Sequence, residues 1–198
     1  METATLRTVA EFPEHSFLEN LAVRSDNSIV VTSLNHKQLW LIPASGTTDT
    51  PVEPILLHTY EHLVSAVVET EPDVFHVALS DGYTTHASYL SRVDLRGRPP
   101  GAAPAVETVL TFDSRVRALN GGCLIAPGVL LLADCFGRDI VLGDPLDLRL
   151  LGPSSIAWGR GPGEYGRVAY LITDGGTTAP PPDGRARRSK VLRVELAR

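Results

Sequence analysis

Glu19 is the residue whose surroundings most suggest chemistry. It interrupts an apolar run, Phe17-Leu18 on one side and Leu21-Ala22 on the other. A carboxylate set among apolar side chains is costly unless it is paired or put to use. No linear motif supplies it with a partner. The histidines His15, His36, His58, His62, His76 and His86 fall singly and make no metal-binding triad by spacing, and His58 and His76 read as strand residues. There is no Gly-x-Ser-x-Gly nucleophile turn. Cys123 and Cys135 have no zinc-site spacing. Gly159-Arg-Gly-Pro-Gly163 lacks the Lys-Ser/Thr that completes a phosphate loop and reads as a hairpin turn. The basic run Arg185–Lys190 is a short solvated loop in a chain of net charge -5, which argues against nucleic acid as a partner. Any site must therefore be assembled by the fold from residues far apart in sequence.

The elements that would assemble it are strands. Gly and Pro, 17 and 15 of them, punctuate short runs rich in β-branched residues, and helical periodicity is scarce. The segment from Leu119 to Gly137 sets the pattern. Its apolar runs Cys123–Ala126 and Val129–Ala133 are split by Pro127-Gly128, a tight-turn pair, so they read as a β-hairpin. That register places Cys123 opposite Leu131 and leaves the two cysteines unable to pair, so both are expected to be reduced and packed.

Comparable units restart at Leu21, Ser65, Leu119 and Ser155. A period of roughly 40–50 residues with about four strands per unit marks β-propeller blades. The expected fold is one all-β domain over residues 1–198, a propeller of about four four-stranded antiparallel blades. The last unit has only three strands, ending at Val191–Leu196, while the chain opens with an unassigned strand, Leu6–Phe12. Pairing the two completes the blade and removes two open edges. A β-sandwich of short strands is the competing architecture.

In a propeller, the loops leading into each inner strand and those joining second to third strands share one end of the central channel. That geometry gathers Phe17, Glu19, Asn20, Arg117 and Asn120 from the first set, and His36, Tyr83, His86, Phe136 and Asp174 from the second. Such a polar, aromatic-lined mouth suits a small molecule.

Four stretches also carry a resemblance: FPEHSFLENLAVRSDNSIVVTSLNHKQLWLI, SYLSRVDLRG, LNGGCLIAPGVLLLADCFG and GPSSIAWGRGPGEYGRVAYLITDGG. Together they resemble the gluconolactonase/regucalcin-type six-bladed propellers. They are most similar to a fungal biosynthetic-cluster branch that includes hetero-Diels–Alderases of tropolone–sesquiterpenoid pathways. Relative to that family, about two blades are absent around Arg138–Leu151. Either four blades close by themselves or a second copy of the chain completes the ring.

The resemblance implies a cofactor-free cycloaddition in which a quinone-methide-like heterodiene is captured by a terpene alkene. Such a reaction needs an apolar pocket holding both partners in a reactive pose and one or two donors to the heterodiene oxygen. Phe17, Tyr83, Phe136 and Trp158 would form its walls, with Asn20, Asn120 and Asp174 as further binding groups. His36, His86 or Arg117 would donate, and Glu19 or His86 would assist the loss of water that generates the diene. The same resemblance makes Glu19 and Asn120 similar to two metal-binding residues of the family, whose metal-binding Asp falls in the absent region. A divalent cation, and with it a metal-dependent lactonase, is thus the alternative. A non-catalytic ligand-binding propeller is a third. No cofactor and no membrane partner are expected, and an N-terminus without a signal pattern predicts a cytoplasmic protein.

Overall fold

The computed structural model describes residues 4–45, 50–81, 84–85, 87–99, 101–112, 116, 119–126, 128–134, 153–165, 167–177 and 183–196. Among them every regular element is a strand. Sheet I holds β2 (Leu18–Val23), β3 (Ile29–Ser33), β4 (Gln38–Ile42) and β5 (Ile55–Thr59) in sequence order. Sheet II repeats the meander with β6 (Leu63–Glu71), β7 (Val74–Ser80), β8 (Ser88–Asp94) and β9 (Ala105–Thr111). Sheet III contributes the hairpin of β10 (Leu119–Ala126) and β11 (Val129–Asp134). The expected strands at Asp139–Leu142 and Leu148–Leu151 lie outside the described residues. Sheet IV is β12 (Pro153–Trp158), β13 (Val168–Thr173) and β14 (Arg188–Leu196), with β1 (Ala4–Glu14) as its outermost strand. This is an all-β propeller architecture of antiparallel meanders.

The anticipated pairing of the first strand with the last is present. β1 pairs antiparallel with β14, from Ala4 opposite Leu196 to Glu14 opposite Arg188. The hairpin register also holds, with Cys123 opposite Leu131. Cys123 is a free thiol, but it is exposed, not packed. Among the described residues the contact of sheet III with sheet II runs through Leu119 and Leu132, at one end of the hairpin. Leu124, beside Cys123, is exposed as well. Cys135 lies outside the described residues.

The inner strands stand side by side: β2 packs against β6 and β12, and β6 against β10. Sheet I is covered on both faces, so β3 is buried throughout and reads Ile-Val-Val-Thr-Ser without a polar face. Ile29 and Val31 enter the core against sheet IV with Phe12, Tyr170 and Ile172. Val30 enters the core against sheet II with Phe75, Val77 and Val93. Sheets II and III meet over small residues, Ala66 and Ala78.

Charged residues lock the sheets together at the end of the inner strands remote from their first residues. Arg24 pairs with Asp73 at 2.8 Å, joining sheets I and II. Arg160 pairs with Glu69 and donates to the Val23 carbonyl at 3.1 Å. Asn27 donates to Glu164 at 2.6 Å, and the backbone N–H of Arg160 donates to the Asn27 side chain at 3.0 Å. The Gly-rich turn after β12 is therefore a docking surface for sheet I. A Cβ added at Gly161 would crowd the Asn27 amide and the Glu164 carboxylate, so a larger residue there would displace the side chains that tie this turn to sheet I.

Candidate functional site

Each inner strand carries an irregularity near its first residues. In β2, Leu18 faces Ser33 and Leu21 faces Val31, so Glu19 and Asn20 share the single opposing residue Thr32. The register shifts in β6 at Ser65, in β10 at Gly121 and in β12 at Ser154 fall at the matching level. β-Bulges of this kind bend a strand and re-aim side chains. The bulge in β2 explains a pattern that a regular strand cannot produce. Leu18 and Leu21, three residues apart, both enter the core against sheet IV. Glu19 and Asn20 are left half-buried between them.

The Glu19 carboxyl meets groups from two other sheets. The Asn120 side-chain amide, at the start of β10, hydrogen-bonds to it, and the Asp174 carboxylate, just after β13, lies close enough to repel it. Burial pushes the Glu19 pKa up from 4.5, the hydrogen bond from Asn120 lowers it, and Asp174 raises it again, leaving it at about 7. Near neutral pH this group both holds and releases a proton, the property of a general acid–base residue.

Local turns fix the two neighbours. The backbone N–H of Gly121 donates to Asn120 Oδ1 at 2.7 Å, orienting the amide. Asp174 is buried, and its Oδ1 accepts the Gly176 N–H at 2.7 Å. Thr177 Oγ1 donates back to the Asp174 carbonyl at 2.7 Å. Gly175 between them has φ +67°, and a Cβ there would lie 2.2 Å from the Arg187 carbonyl oxygen. Only glycine lets the loop close over β14 while presenting Asp174 inward.

Of the residues expected at the mouth, the fold brings together Glu19, Asn120 and Asp174. Phe17 and Asn20 flank them. The Phe17 N–H donates to Asn35 Oδ1 at 2.8 Å, while Asn35 Nδ2 donates to the His15 carbonyl at 2.6 Å, so one amide clips the segment leading into β2. His36 is exposed in the turn between β3 and β4, at the rim of the same end. Trp158 is not at the mouth. It ends β12 at the opposite extremity, where it faces Ala169, is 41% exposed and rests against Tyr165 at 6.1 Å. His86, Arg117, Tyr83 and Phe136 lie outside the described residues. His58 and His76 lie within β5 and β7, as expected. His62 stacks on Tyr89 at 4.6 Å.

The donor set is thin for a hard cation. Calcium takes about 6–8 oxygens. Here two carboxylates and one amide converge, the amide oxygen already accepts a backbone N–H, and among the described residues no group of three His, Cys, Asp or Glu forms. These residues do not by themselves compose the metal site that the resemblance implied.

No family model matches the chain, and no curated protein does. Among solved structures it is similar to the PQQ-bound form of aldose sugar dehydrogenase from Streptomyces coelicolor, with a TM-score of 0.57 and 12% identity over 98% of this chain and 98% of that one. At that identity the likeness shows the β-propeller fold alone. It supports a broad propeller relationship and does not reach the fungal Diels–Alderase branch. Among the described residues no helix is long and apolar enough to cross a membrane.

Proposed function

We propose that this chain binds a small molecule at the channel mouth and catalyses a cofactor-free cyclisation of (hetero-)Diels–Alder type, with Glu19 as its proton-transfer group. The observation that supports this reading is a carboxyl with a pKa of about 7, held between Asn120 and Asp174. A heterodiene precursor such as a hydroxymethyl tropolone must lose water before it reacts. Protonated Glu19 gives its proton to the departing hydroxyl as the C–O bond breaks. The ring hydroxyl of the precursor then returns a proton to the Glu19 carboxylate, directly or through water. The net change is loss of one water, and the enzyme ends in its starting state. The cycloaddition that follows forms its bonds without proton transfer, so the protein accelerates it by holding the heterodiene and the terpene alkene in a reactive pose. Phe17 supplies apolar wall, Asn20 a polar contact, and His36 a rim donor to the heterodiene oxygen. Fungal secondary metabolism, an apolar terpene- or polyketide-like substrate, a cytoplasmic setting and a second copy of the chain completing the ring belong to the same reading.

The test is product formation from a hydroxymethyl tropolone and a terpene alkene. Glu19→Gln should lower the rate at least about tenfold, or ~1.4 kcal/mol of barrier, and a chelator should leave the wild type unchanged. Full activity per folded molecule in Glu19→Gln would remove Glu19 from the reaction. Equal losses from chelator and substitution, restored by added Ca²⁺, would replace the cyclase by a metal-assisted lactonase whose further ligands lie elsewhere. Tight binding without turnover would leave a binding protein.

A further inference from the structure

We infer that Thr32, on the second strand of sheet I, is the positioning residue that aims Glu19 into the channel. This rests on the reading of Glu19 as the functional group. A bulge leaves one backbone N–H and one C=O without ladder partners, and buried groups of that kind are almost always satisfied. Across the bulge in β2 the partner is a side chain. The Asn20 N–H donates to Thr32 Oγ1 at 3.0 Å, and Thr32 Oγ1 donates to the Asn20 carbonyl at 3.4 Å. A hydroxyl is the one small group that can accept and donate at once. Thr32 is fully buried, and its branched Cβ holds χ1 stiffly. It also keeps its place in the next ladder, opposite Leu39, so the clip is braced by β4.

The other inner strands are irregular at the same level, and among the described residues none is clipped in this way. In sheet II the bulged Ser65 itself donates to the Ala78 carbonyl at 3.3 Å. Among the described residues, sheet I alone uses a second-strand hydroxyl on both backbone groups of a bulge, and sheet I alone carries a carboxylate there. Without the bulge, β2 would slip by one residue, and every side chain beyond the slip would change faces. Leu18 and Leu21 could not then both reach the core, and Glu19 would leave Asn120.

The side-chain amide signal of Asn120 in a ¹⁵N–¹H spectrum of the full chain reads this placement without reference to catalysis. The signal is assigned by its loss in Asn120→Asp, and its dependence on the carboxylate by its movement in Glu19→Gln. Thr32→Val, which keeps shape and removes the hydroxyl, should move the signal toward its position in Glu19→Gln. Thr32→Ser, which keeps the hydroxyl, should leave it in place. Product formation should fall about a hundredfold in Thr32→Val, the scale of an ångström-level misplacement, and return in Thr32→Ser. An unmoved Asn120 signal in folded Thr32→Val overturns the inference. If Thr32→Val does not fold, hydrogen exchange of the Asn20 N–H in the wild type decides: slowing of at least about a hundredfold against a free peptide supports the clip, and free-peptide exchange overturns it. Should the signal move in Thr32→Val while Glu19→Gln keeps full activity, the positioning stands and the reaction assigned to Glu19 fails.

Discussion

Replacing Glu19 by Gln should change the pH dependence of folding stability in a direction set by the burial of its carboxyl and by Asp174 beside it. The carboxyl has a pKa of about 7 in the folded chain against its ordinary value of 4.5. A raised folded pKa contributes stability below about pH 4.5, and that contribution is lost as pH rises toward and through about 7. In this window the folded chain binds a proton that the unfolded chain has released. The difference amounts to ~3 kcal/mol of burial cost by the alkaline side. Gln has a similar shape and never ionises. Urea unfolding followed by tryptophan fluorescence would be run on both proteins between about pH 5 and about pH 9, where the linear extrapolation gives each free energy. All other titrating groups are common to both, so the difference between the two curves isolates Glu19. That difference should be small at the acid end. It should grow to ~3 kcal/mol in favour of Glu19→Gln above neutrality. A difference that stays flat with pH would mean that the carboxyl titrates like an exposed one. A variant that loses stability at alkaline pH would mean that the site favours the carboxylate, reversing the sign argued from burial and Asp174. Either result would remove the proton-transfer role.

Two further outcomes follow from the same architecture. Gly175→Ala places a Cβ against the Arg187 carbonyl oxygen at a φ of +67°, so unfolding by urea should show a loss of at least ~2 kcal/mol; a neutral result would mean that the loop carrying Asp174 is not held as described. Removing residues 1–14 strips β1 from β14, takes Val9, Ala10 and Phe12 out of the core and uncovers Val191 and the core residues they packed on, and the melting temperature should fall by more than about 10 °C. A truncated chain melting within a degree or two of the intact one would refute closure by the first strand.

Much of this fold was legible because it is written in local punctuation. Pro127-Gly128 fixed a hairpin and with it the pairing of Cys123 with Leu131. A three-stranded last unit and an unassigned first strand predicted the pairing of β1 with β14. What a run of apolar residues does not reveal is which neighbour covers it. Cys123-Leu124-Ile125 reads as core, yet Cys123 and Leu124 are exposed, while among the described residues Leu119 and Leu132 make the contact with sheet II. Trp158 was misplaced for a related reason: an aromatic at a strand end joins the mouth only if that end is the one facing it, and Trp158 is the last residue of β12, a strand that faces the mouth with its first residues.

The site was half-legible. Glu19, Asn120 and Asp174 could be nominated from the order of strands and loops, since chain order in a propeller decides which end of the channel a loop occupies. Their convergence could not, because it depends on bulges, and a bulge has a weak signature. One was present. Leu18 and Leu21 are apolar at a spacing of three inside a short segment bounded by Pro13 and the Ser25-Asp-Asn-Ser28 turn, too short for a helix. In a strand that spacing puts the two on opposite faces unless an extra residue is inserted between them. If both belong to the core, Glu19 and Asn20 must bulge, and the residue facing them on the next strand must satisfy their backbone. Counting along the hairpin from Ser25–Ser28, that residue is Thr32, the first hydroxyl after Ile29-Val30-Val31. The carboxylate and the residue that aims it are therefore linked by one physical requirement: a buried backbone that has left its ladder must find its hydrogen bonds elsewhere.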